Sequence, residues 1–265
     1  MYNVNVTEQE QAILERIARE AGQMALTHFT AFKDLTIEKK GHLDLVTVAD
    51  QEVEEFLTKR LLQAFPNDGI FGEECGEIKG HSGRIWVIDP IDGTFNFIRG
   101  GQDWAISIGL YEHKLPAYGV IYAPVRNLLL TGGTSVPARQ NGDLLPPLPK
   151  LDISKAVIGI GMHPSIKTDD RLEVMRFISD DLRVSFRCCG ASTLSLISVA
   201  LGETDAYLAL GDATWDVMAG IAILSSLGAT HTINWHEVEL TEKLRFSCGN
   251  SEIVTHLNSL HRTNH

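Results

Sequence analysis

The residues best suited to chemistry are acids that follow short apolar segments of the chain. The apolar segment Ile85–Ile88 runs directly into the string DPIDGT over Asp89–Thr94. Two carboxylates there flank a stiff Pro-Ile step, and Gly93 permits a tight turn that a side chain would hinder. We therefore expect Asp89 and Asp92 to converge at the end of a strand. The alternative is an ordinary exit from a strand into a turn.

Three further acids occupy similar positions. Glu73 follows the apolar pair Ile70-Phe71, Asp216 opens the apolar run Val217–Leu227, and Asp50 opens an earlier helical pattern. Acids at strand ends and helix starts are typical of α/β active sites. For Asp50 and Asp216, an equally simple interpretation is a favourable interaction with the helix dipole.

Carboxylates converging without histidine or cysteine would make an oxygen-only site, which suits Mg²⁺ or Mn²⁺ better than zinc or copper. No histidine lies beside these acids, and the ten histidines are scattered along the chain. The net charge of −11 disfavours nucleic acids and anionic membranes as partners. Two bound metal ions would supply the positive field that an anionic substrate needs, and would clamp both oxygens of a phosphoryl transfer.

The elements that must position these acids follow from hydrophobic periodicity. Thr7 and Glu10 form a capping box before a long amphipathic helix, and a second helix is predicted over Val48–Phe65. Three strands separated by turns predict an antiparallel meander, over Ala105–Tyr111, Ala117–Tyr122 and Leu128–Thr131. Further along, strands and helices alternate. This pattern predicts α+β structure in the first half and α/β structure in the second.

We place the boundary at Pro146–Pro149, because neighbouring prolines favour extended backbone. The prediction is an N-terminal half over residues 1–145, carrying the metal-binding signature, and a C-terminal half over residues 150–265 that completes the site.

Composition indicates an ordinary globular protein. The chain has 265 residues, of which 44% are hydrophobic, and its four cysteines form no CxxC pair. The N-terminal residues show no targeting pattern, and no apolar run is long enough for a membrane span. We expect reduced thiols and a cytoplasmic location.

Four blocks of the sequence together resemble the inositol monophosphatase family, within the Mg²⁺-dependent, Li⁺-sensitive phosphatases that include fructose-1,6-bisphosphatase. The blocks are Asp44–Asp50, Phe71–Glu74, Trp86–Phe97 and Trp215–Gly220. The third is highly specific, and the fourth follows in the expected order. The resemblance implies a layered αβαβα sandwich, usually a homodimer.

It also implies a set of metal ligands. Glu73, Asp89 and the carbonyl oxygen of Ile91 would hold a first Mg²⁺ ion, and Asp89, Asp92 and Asp216 a second. A third, weaker ion is implied near Glu73 and Asp89, and Mn²⁺ is expected to substitute.

The same resemblance assigns the catalytic groups. Thr94 and Glu73 would position and deprotonate the attacking water, and Asp50 would fix the rotamer of Thr94 by a hydrogen bond. The implied substrate contacts are Asp92, Gly93, Thr94, Gly190, Ala191 and Ser192. For the last three, a helix cap is an equally good interpretation.

One departure from the family bears on specificity. Inositol-specific members carry a glutamate at the position of Ala209, where it binds substrate hydroxyls. Alanine would leave room and remove a negative charge, so we expect tolerance of substrates with additional phosphate.

The expected function is therefore hydrolysis of inositol monophosphate, or a related small sugar or polyol phosphate, by metal-activated water. A phosphatase acting on NADP or 3′-phosphoadenosine 5′-phosphate is one alternative. The other is a non-catalytic interaction protein on the same fold, because some family members also bind transcription machinery. The intact set of acids argues against loss of activity.

Overall fold

A computed structural model describes residues 6–31, 37–41 and 44–261, with side chains omitted for residues 37–47, 259 and 261. The first five residues, where no targeting pattern is expected, lie outside this range. The seven α-helices of the described ranges are α1 (Glu8–Thr30), α2 (Val48–Ala64), α3 (Thr94–Ile98), α4 (Thr168–Arg176), α5 (Ser192–Ala200), α6 (Thr214–Ser226) and α7 (Ser251–Leu257).

The first helix begins as the sequence predicts. Thr7 Oγ1 accepts a hydrogen bond from the backbone N–H of Glu10, and the Glu10 carboxylate accepts one from the backbone N–H of Thr7. This reciprocal pair satisfies two backbone donors that the first turn would otherwise leave open. The predicted capping box is confirmed.

A hairpin, β1 (Ile37–Gly41) with β2 (Asp44–Thr47), precedes α2. The large sheet then comprises β3 (Gly69–Gly72), β4 (Gly76–Ile78), β5 (Arg84–Asp92), β6 (Ala105–Glu112), β7 (Leu115–Ala123), β8 (Leu128–Gly133), β9 (Val136–Gln140) and β10 (Asp143–Leu144). Its order is β10-β9-β8-β7-β6-β5-β3-β4. All neighbours are antiparallel except β3 and β5, so the predicted meander is confirmed.

The second sheet lies wholly beyond the proline segment. Its strands are β11 (Val157–Met162), β12 (Ser185–Arg187), β13 (Ala206–Ala213), β14 (Thr230–His231) and β15 (Lys243–Gly249), in the order β12-β11-β13-β15-β14. β11 runs parallel to β12 and β13, whereas β15 is antiparallel to β13.

Three apolar cores hold these sheets in an αβαβα stack. One joins α1 and α2 to the large sheet, a second lies around α5 and α6 between the sheets, and a third joins the small sheet to α4 and α7. The layered fold expected from the resemblance is confirmed. Among the described residues, no helix combines the length and apolar character needed to cross a membrane.

Two elements differ from the sequence prediction. β5 does not end at Ile88 but continues through Asp92, with an irregular register against β6 between Asp89 and Asp92. Pro90 has no N–H for the ladder, which accounts for the irregularity. In the second half, where strands and helices alternate as predicted, α4 does not end in a regular turn but widens into a π-type turn over Phe177–Leu182.

Candidate active site

The irregular end of β5 brings three carboxylates together. Ligand atoms of Asp89, Asp92 and Asp216 all lie within 4.8 Å of one another. Asp89 and Asp92 are buried, and Asp216 is half-buried at the start of α6. The predicted convergence of Asp89 and Asp92 is therefore present, and an acid from the other half of the chain joins it.

Burial and mutual repulsion both disfavour the charged forms of these carboxylates. Burial, followed by the charges of Glu73, Asp92 and Asp216, raises the pKa of Asp89 well above its usual range. Burial and neighbouring acids likewise raise the pKa of Asp216. Among the described residues, no lysine or arginine forms an ion pair with any of the three acids. A bound cation would supply the missing positive charge.

Backbone donors orient two of these acids. Asp216 Oδ2 accepts the N–H of Ala213 at 2.7 Å, as an acid at a helix start commonly does. Asp92 Oδ2 accepts the N–H of Thr193 at 2.7 Å and also its hydroxyl, while Oδ1 accepts the N–H of Ser192 at 3.3 Å. Asp92 thus caps α5. Burial raises the pKa of Asp92 to about 6 although these donors lower it.

Glu73 lies outside the 4.8 Å group but close to it. Its charge contributes to the raised pKa of both Asp89 and Asp216. Glu73 is half-buried and sits between β3 and β4. The structure thus places it beside the cluster.

Glu54, on α2, holds the turn that carries Glu73, and sequence reasoning missed it. Its buried carboxylate accepts the backbone N–H of Glu74 at 3.0 Å and that of Cys75 at 2.5 Å. A Cβ on Gly72 would lie 2.7 Å from this carboxylate, so glycine makes room for it. The available signal was the spacing of Asp50 and Glu54, which puts both on one face of α2.

Thr94 contacts the acid that was expected to orient it. Its hydroxyl lies 3.1 Å from Asp50 Oδ1 and 3.1 Å from the carbonyl oxygen of Ile91, and can donate to either. Asp50 is buried and Ile91 fully so. In the block Asp44–Asp50, the side chains of Asp44–Thr47 lie outside the described residues.

Glycines shape the turns around these groups. Gly93 has a φ of 93°, and a Cβ there would lie 2.6 Å from the carbonyl oxygen of Asp103 and 3.0 Å from Ala191. Asn96 donates to the carbonyl oxygens of Asp103 and Cys189, both at 2.8 Å, and so ties the loop before Gly190 to the end of β5. The turn at Gly93 and the segment that begins at Gly190, both implied as substrate contacts, are therefore neighbours.

A cleft of about 490 Å³ opens beside the cluster. It is lined by Asp92 and Asp216, by Gly190, Ala191 and Ser192, and by residues that sequence reasoning missed, notably Tyr207 and Asp212. Ala209 is not among its lining residues: its side chain is fully buried in the core between the sheets. The expectation that Ala209 leaves room beside the substrate is wrong, because its side chain packs in the core and does not reach the cleft. Asp212, farther along the same strand, lines the cleft instead.

The donor set fits a hard divalent cation. Carboxylate oxygens are the ligands that Mg²⁺ and Mn²⁺ prefer, and the described residues bring no histidine or cysteine into the 4.8 Å group. The cluster also borders a cleft large enough for a small molecule. This arrangement can hold a phosphate ester beside one or more cations.

Comparison with known proteins agrees with the site. The chain is 36% identical over 226 residues to an inositol-1-monophosphatase of Bacillus subtilis, covering 83% of each protein. It is 32% identical over 221 residues to the Nus factor SuhB of Xylella fastidiosa, covering 82% of this chain and 78% of that protein. The relatives thus carry two kinds of name.

The fold and a family model point the same way. The crystal structure of the extragenic suppressor protein suhB from Bartonella henselae matches with a TM-score of 0.88 and 27% identity, covering 97% of this chain and 100% of that one. The model of the inositol monophosphatase family matches residues 7–262. With family matches of this extent and a cluster of acids at the expected place, the chain belongs to the inositol monophosphatase family.

Proposed function

We propose that this protein is a Mg²⁺-dependent phosphomonoesterase that hydrolyses inositol monophosphate or a related small polyol phosphate. The observation that carries the proposal is the cluster of Asp89, Asp92 and Asp216 within 4.8 Å, with the Thr94–Asp50 hydrogen bond beside it. Attack of water on a phosphate ester requires bound cations and a polar group that can accept a proton nearby.

The metal-holding groups come from both halves of the chain. Asp89, Asp92 and Asp216 would bind two Mg²⁺ ions, with Glu73 and the carbonyl oxygen of Ile91 completing the set, and a third ion near Glu73 and Asp89. Mn²⁺ would substitute. When bound, these ions would neutralise phosphate charge and make a water molecule more acidic.

Thr94 is suited to take a proton from the attacking water. Its oxygen can accept a hydrogen bond from water while its own hydroxyl donates to Asp50 Oδ1 at 3.1 Å. A proton could then pass from water through Thr94 to Asp50, and Glu73 offers a second acceptor beside the cluster. Asp50 also restricts the rotamer of Thr94.

The phosphate would lie at the start of α3. The backbone N–H groups of Gly93 and Thr94 are the proposed donors to its oxygens, because the turn at Gly93 leaves no room for a side chain. The Gly190–Ser192 turn, which borders the cleft, would contact the rest of the substrate. Asp92 would serve both the metal and this turn.

A second candidate function rests on the similarity to Nus factor SuhB proteins. Under it, the chain would act as an interaction protein whose partner is a component of the transcription machinery. The net charge of −11 disfavours direct binding to nucleic acid, so such a partner would be a protein. Both roles are compatible with a homodimer in the cytoplasm. Light scattering of the purified protein would test whether it is a dimer.

The test is release of inorganic phosphate by the purified protein, with Mg²⁺ or with a chelator. Inositol 1-phosphate, fructose 1,6-bisphosphate, NADP and 3′-phosphoadenosine 5′-phosphate form the panel. We expect Mg²⁺-dependent release, highest for inositol 1-phosphate. Preference for either nucleotide would favour the nucleotide phosphatase alternative, and no release by a folded protein with Mg²⁺ or Mn²⁺ would favour the interaction protein.

A further inference from the structure

One buried acid that lines the cleft has no part in the proposed catalysis. Asp212 is 6% exposed and lines the cleft together with Asp92 and Asp216. It is not in the group of acids within 4.8 Å. Its position therefore suits contact with the substrate better than contact with a shared metal.

The backbone of β13 aims Asp212 at the cleft. Opposite β15, Leu210 pairs with Arg245 and Asp212 with Leu244, so Gly211 is an extra residue in the strand. Gly211 has a φ of 95°, a conformation that side-chain-bearing residues seldom adopt. Such a bulge changes which face the following side chain occupies. Asp212 consequently lies on the same face as Tyr207.

Tyr207 fixes one oxygen of this carboxylate. Its fully buried phenol donates to Asp212 Oδ2 at 2.7 Å, and its oxygen lies 3.1 Å from Ser192 Oγ. The tyrosine hydroxyl fits only because residue 161 is glycine: a Cβ at Gly161 would lie 1.9 Å from it. The rotamer of Asp212 is therefore held firmly.

The second oxygen of the carboxylate borders the cleft. Asp212 Oδ1 lies 3.3 Å from the position that a Cβ of Gly161 would take, and Gly161 itself lines the cleft. A side chain at residue 161 would cover this oxygen. The Ser192 side chain also hydrogen-bonds the Asp212 carboxylate. A carboxylate oxygen has more than one lone pair, so with glycine at residue 161 Oδ1 can still accept a hydrogen bond from a molecule in the cleft.

We propose that Asp212 selects the leaving alcohol of the substrate. It accepts hydrogen bonds from a hydroxyl or ammonium group of that alcohol, and its negative charge disfavours a second phosphate. This inference rests on the proposed phosphatase function. It also reverses the expectation drawn from Ala209, because the charge that Ala209 lacks is supplied by Asp212 farther along the same strand.

The test uses four phosphate esters that differ in the leaving group. Inositol 1-phosphate offers hydroxyls, 2-aminoethyl phosphate an ammonium group, fructose 1,6-bisphosphate a second phosphate, and p-nitrophenyl phosphate none of these. The variant Asp212→Asn removes the charge but keeps an oxygen for the Tyr207 phenol. Asp68→Asn is the matched control, since Asp68 is also buried and accepts from an aromatic side chain, Trp86, at 2.9 Å.

For Asp212→Asn we expect kcat/KM for inositol 1-phosphate, relative to p-nitrophenyl phosphate, to fall roughly tenfold or more, mainly through KM. The kcat/KM for fructose 1,6-bisphosphate, relative to p-nitrophenyl phosphate, should rise. The relative kcat/KM for 2-aminoethyl phosphate should fall as well, because its ammonium group loses a charged acceptor. Asp68→Asn should leave all ratios unchanged.

Equal loss on all four esters in Asp212→Asn would overturn the inference and make Asp212 a purely structural residue. Failure of the proposed function looks different, because the wild-type protein would then release no phosphate from any ester. If the protein has no phosphatase activity, equilibrium binding of inositol 1-phosphate and fructose 1,6-bisphosphate tests the inference about Asp212 instead. The inference would be overturned if the wild-type protein did not bind inositol 1-phosphate more tightly, or if Asp212→Asn left this preference unchanged.

Discussion

Thr94 and Asp50 are 44 residues apart in the chain, yet the hydroxyl of Thr94 lies 3.1 Å from Asp50 Oδ1. Thr94 is the first residue of α3, and Asp50 lies in the first turn of α2. The contact joins the end of the large sheet to the helix layer behind it. In the proposed mechanism this hydrogen bond is the path by which a proton leaves the attacking water.

Thr94→Ala should therefore slow turnover without preventing metal binding. General acid–base groups contribute roughly 10²–10⁴-fold to rate, and kcat should fall on that scale. The measurement is kcat for inositol 1-phosphate at saturating Mg²⁺. Thr94→Ser keeps the hydroxyl and should recover most of the rate. Normal kcat in the alanine variant, with weakened Mg²⁺ binding instead, would make Thr94 a structural residue.

Asp89→Asn should abolish most activity while the fold persists. Asp89 is the proposed bridge between the metal ions, so one substitution weakens both sites. It also relieves repulsion within the buried cluster, and the metal-free variant should unfold at a temperature equal to or above that of the wild type. Thermal unfolding in chelator measures this, with exposed Asp143 changed to Asn as the control. Full Mg²⁺-dependent activity of Asp89→Asn would refute the two-metal assignment.

Glu54→Gln should raise the Mg²⁺ concentration needed for half-maximal activity. The carboxylate accepts two backbone N–H groups of the turn that carries Glu73, and a glutamine amide would present a donor to one of them. Loss of such supporting hydrogen bonds commonly costs about 10–100-fold in metal affinity or activity. Glu55→Gln, an exposed neighbour on α2, is the control. An unchanged Mg²⁺ dependence would mean that Glu54 only stabilises the fold.

The metal-free protein should lose stability as the pH rises above about 4. Burial raises the pKa of Asp92 to about 6 in the folded state, and burial also raises those of Asp89 and Asp216. Unfolded aspartate has a pKa of about 3.9. Between this value and the higher folded-state pKa values, the folded state binds more protons than the unfolded state. This contribution to stability is complete below about pH 4 and is lost as the pH passes through the folded-state values.

Thermal unfolding in chelator would show this loss of stability between about pH 5 and pH 7.5. This range spans the folded-state pKa of Asp92, which is about 6. Asp92→Asn should make the decline shallower, because the variant lacks one of the titrating groups. Saturating Mg²⁺ should stabilise the protein more at the higher pH, where protons no longer compete for the carboxylates. A wild-type melting temperature that rises steadily with pH in chelator would contradict the prediction.

Local pattern predicted much of the fold and the central acids of the site. Alternating and helical periodicities identify the meander and α1, because one face of each element must be buried. Asp89 and Asp92 could be found because they directly follow an apolar segment. Their strand continues farther than predicted, since the irregularity at Pro90 depends on pairing with β6.

The supporting residues could not be predicted in the same way. Glu54 acts on a turn 20 and 21 residues away, and only packing of α2 against the sheet brings them together. Regular alternation along β13 would place Asp212 on the same face as Leu210. The bulge at Gly211 moves its side chain to the other face. Contacts across layers and local breaks in register are tertiary effects, and they decide which carboxylates reach the cleft.

Anomalous diffraction from crystals soaked in Mn²⁺ would locate the proposed cations without relying on turnover. We expect at least two peaks beside Asp89, one of them between Asp89, Asp92 and Asp216, and their loss or marked weakening in Asp89→Asn crystals. No peak at this cluster in well-diffracting, fully soaked wild-type crystals, or peaks only at surface acids, would contradict this expectation.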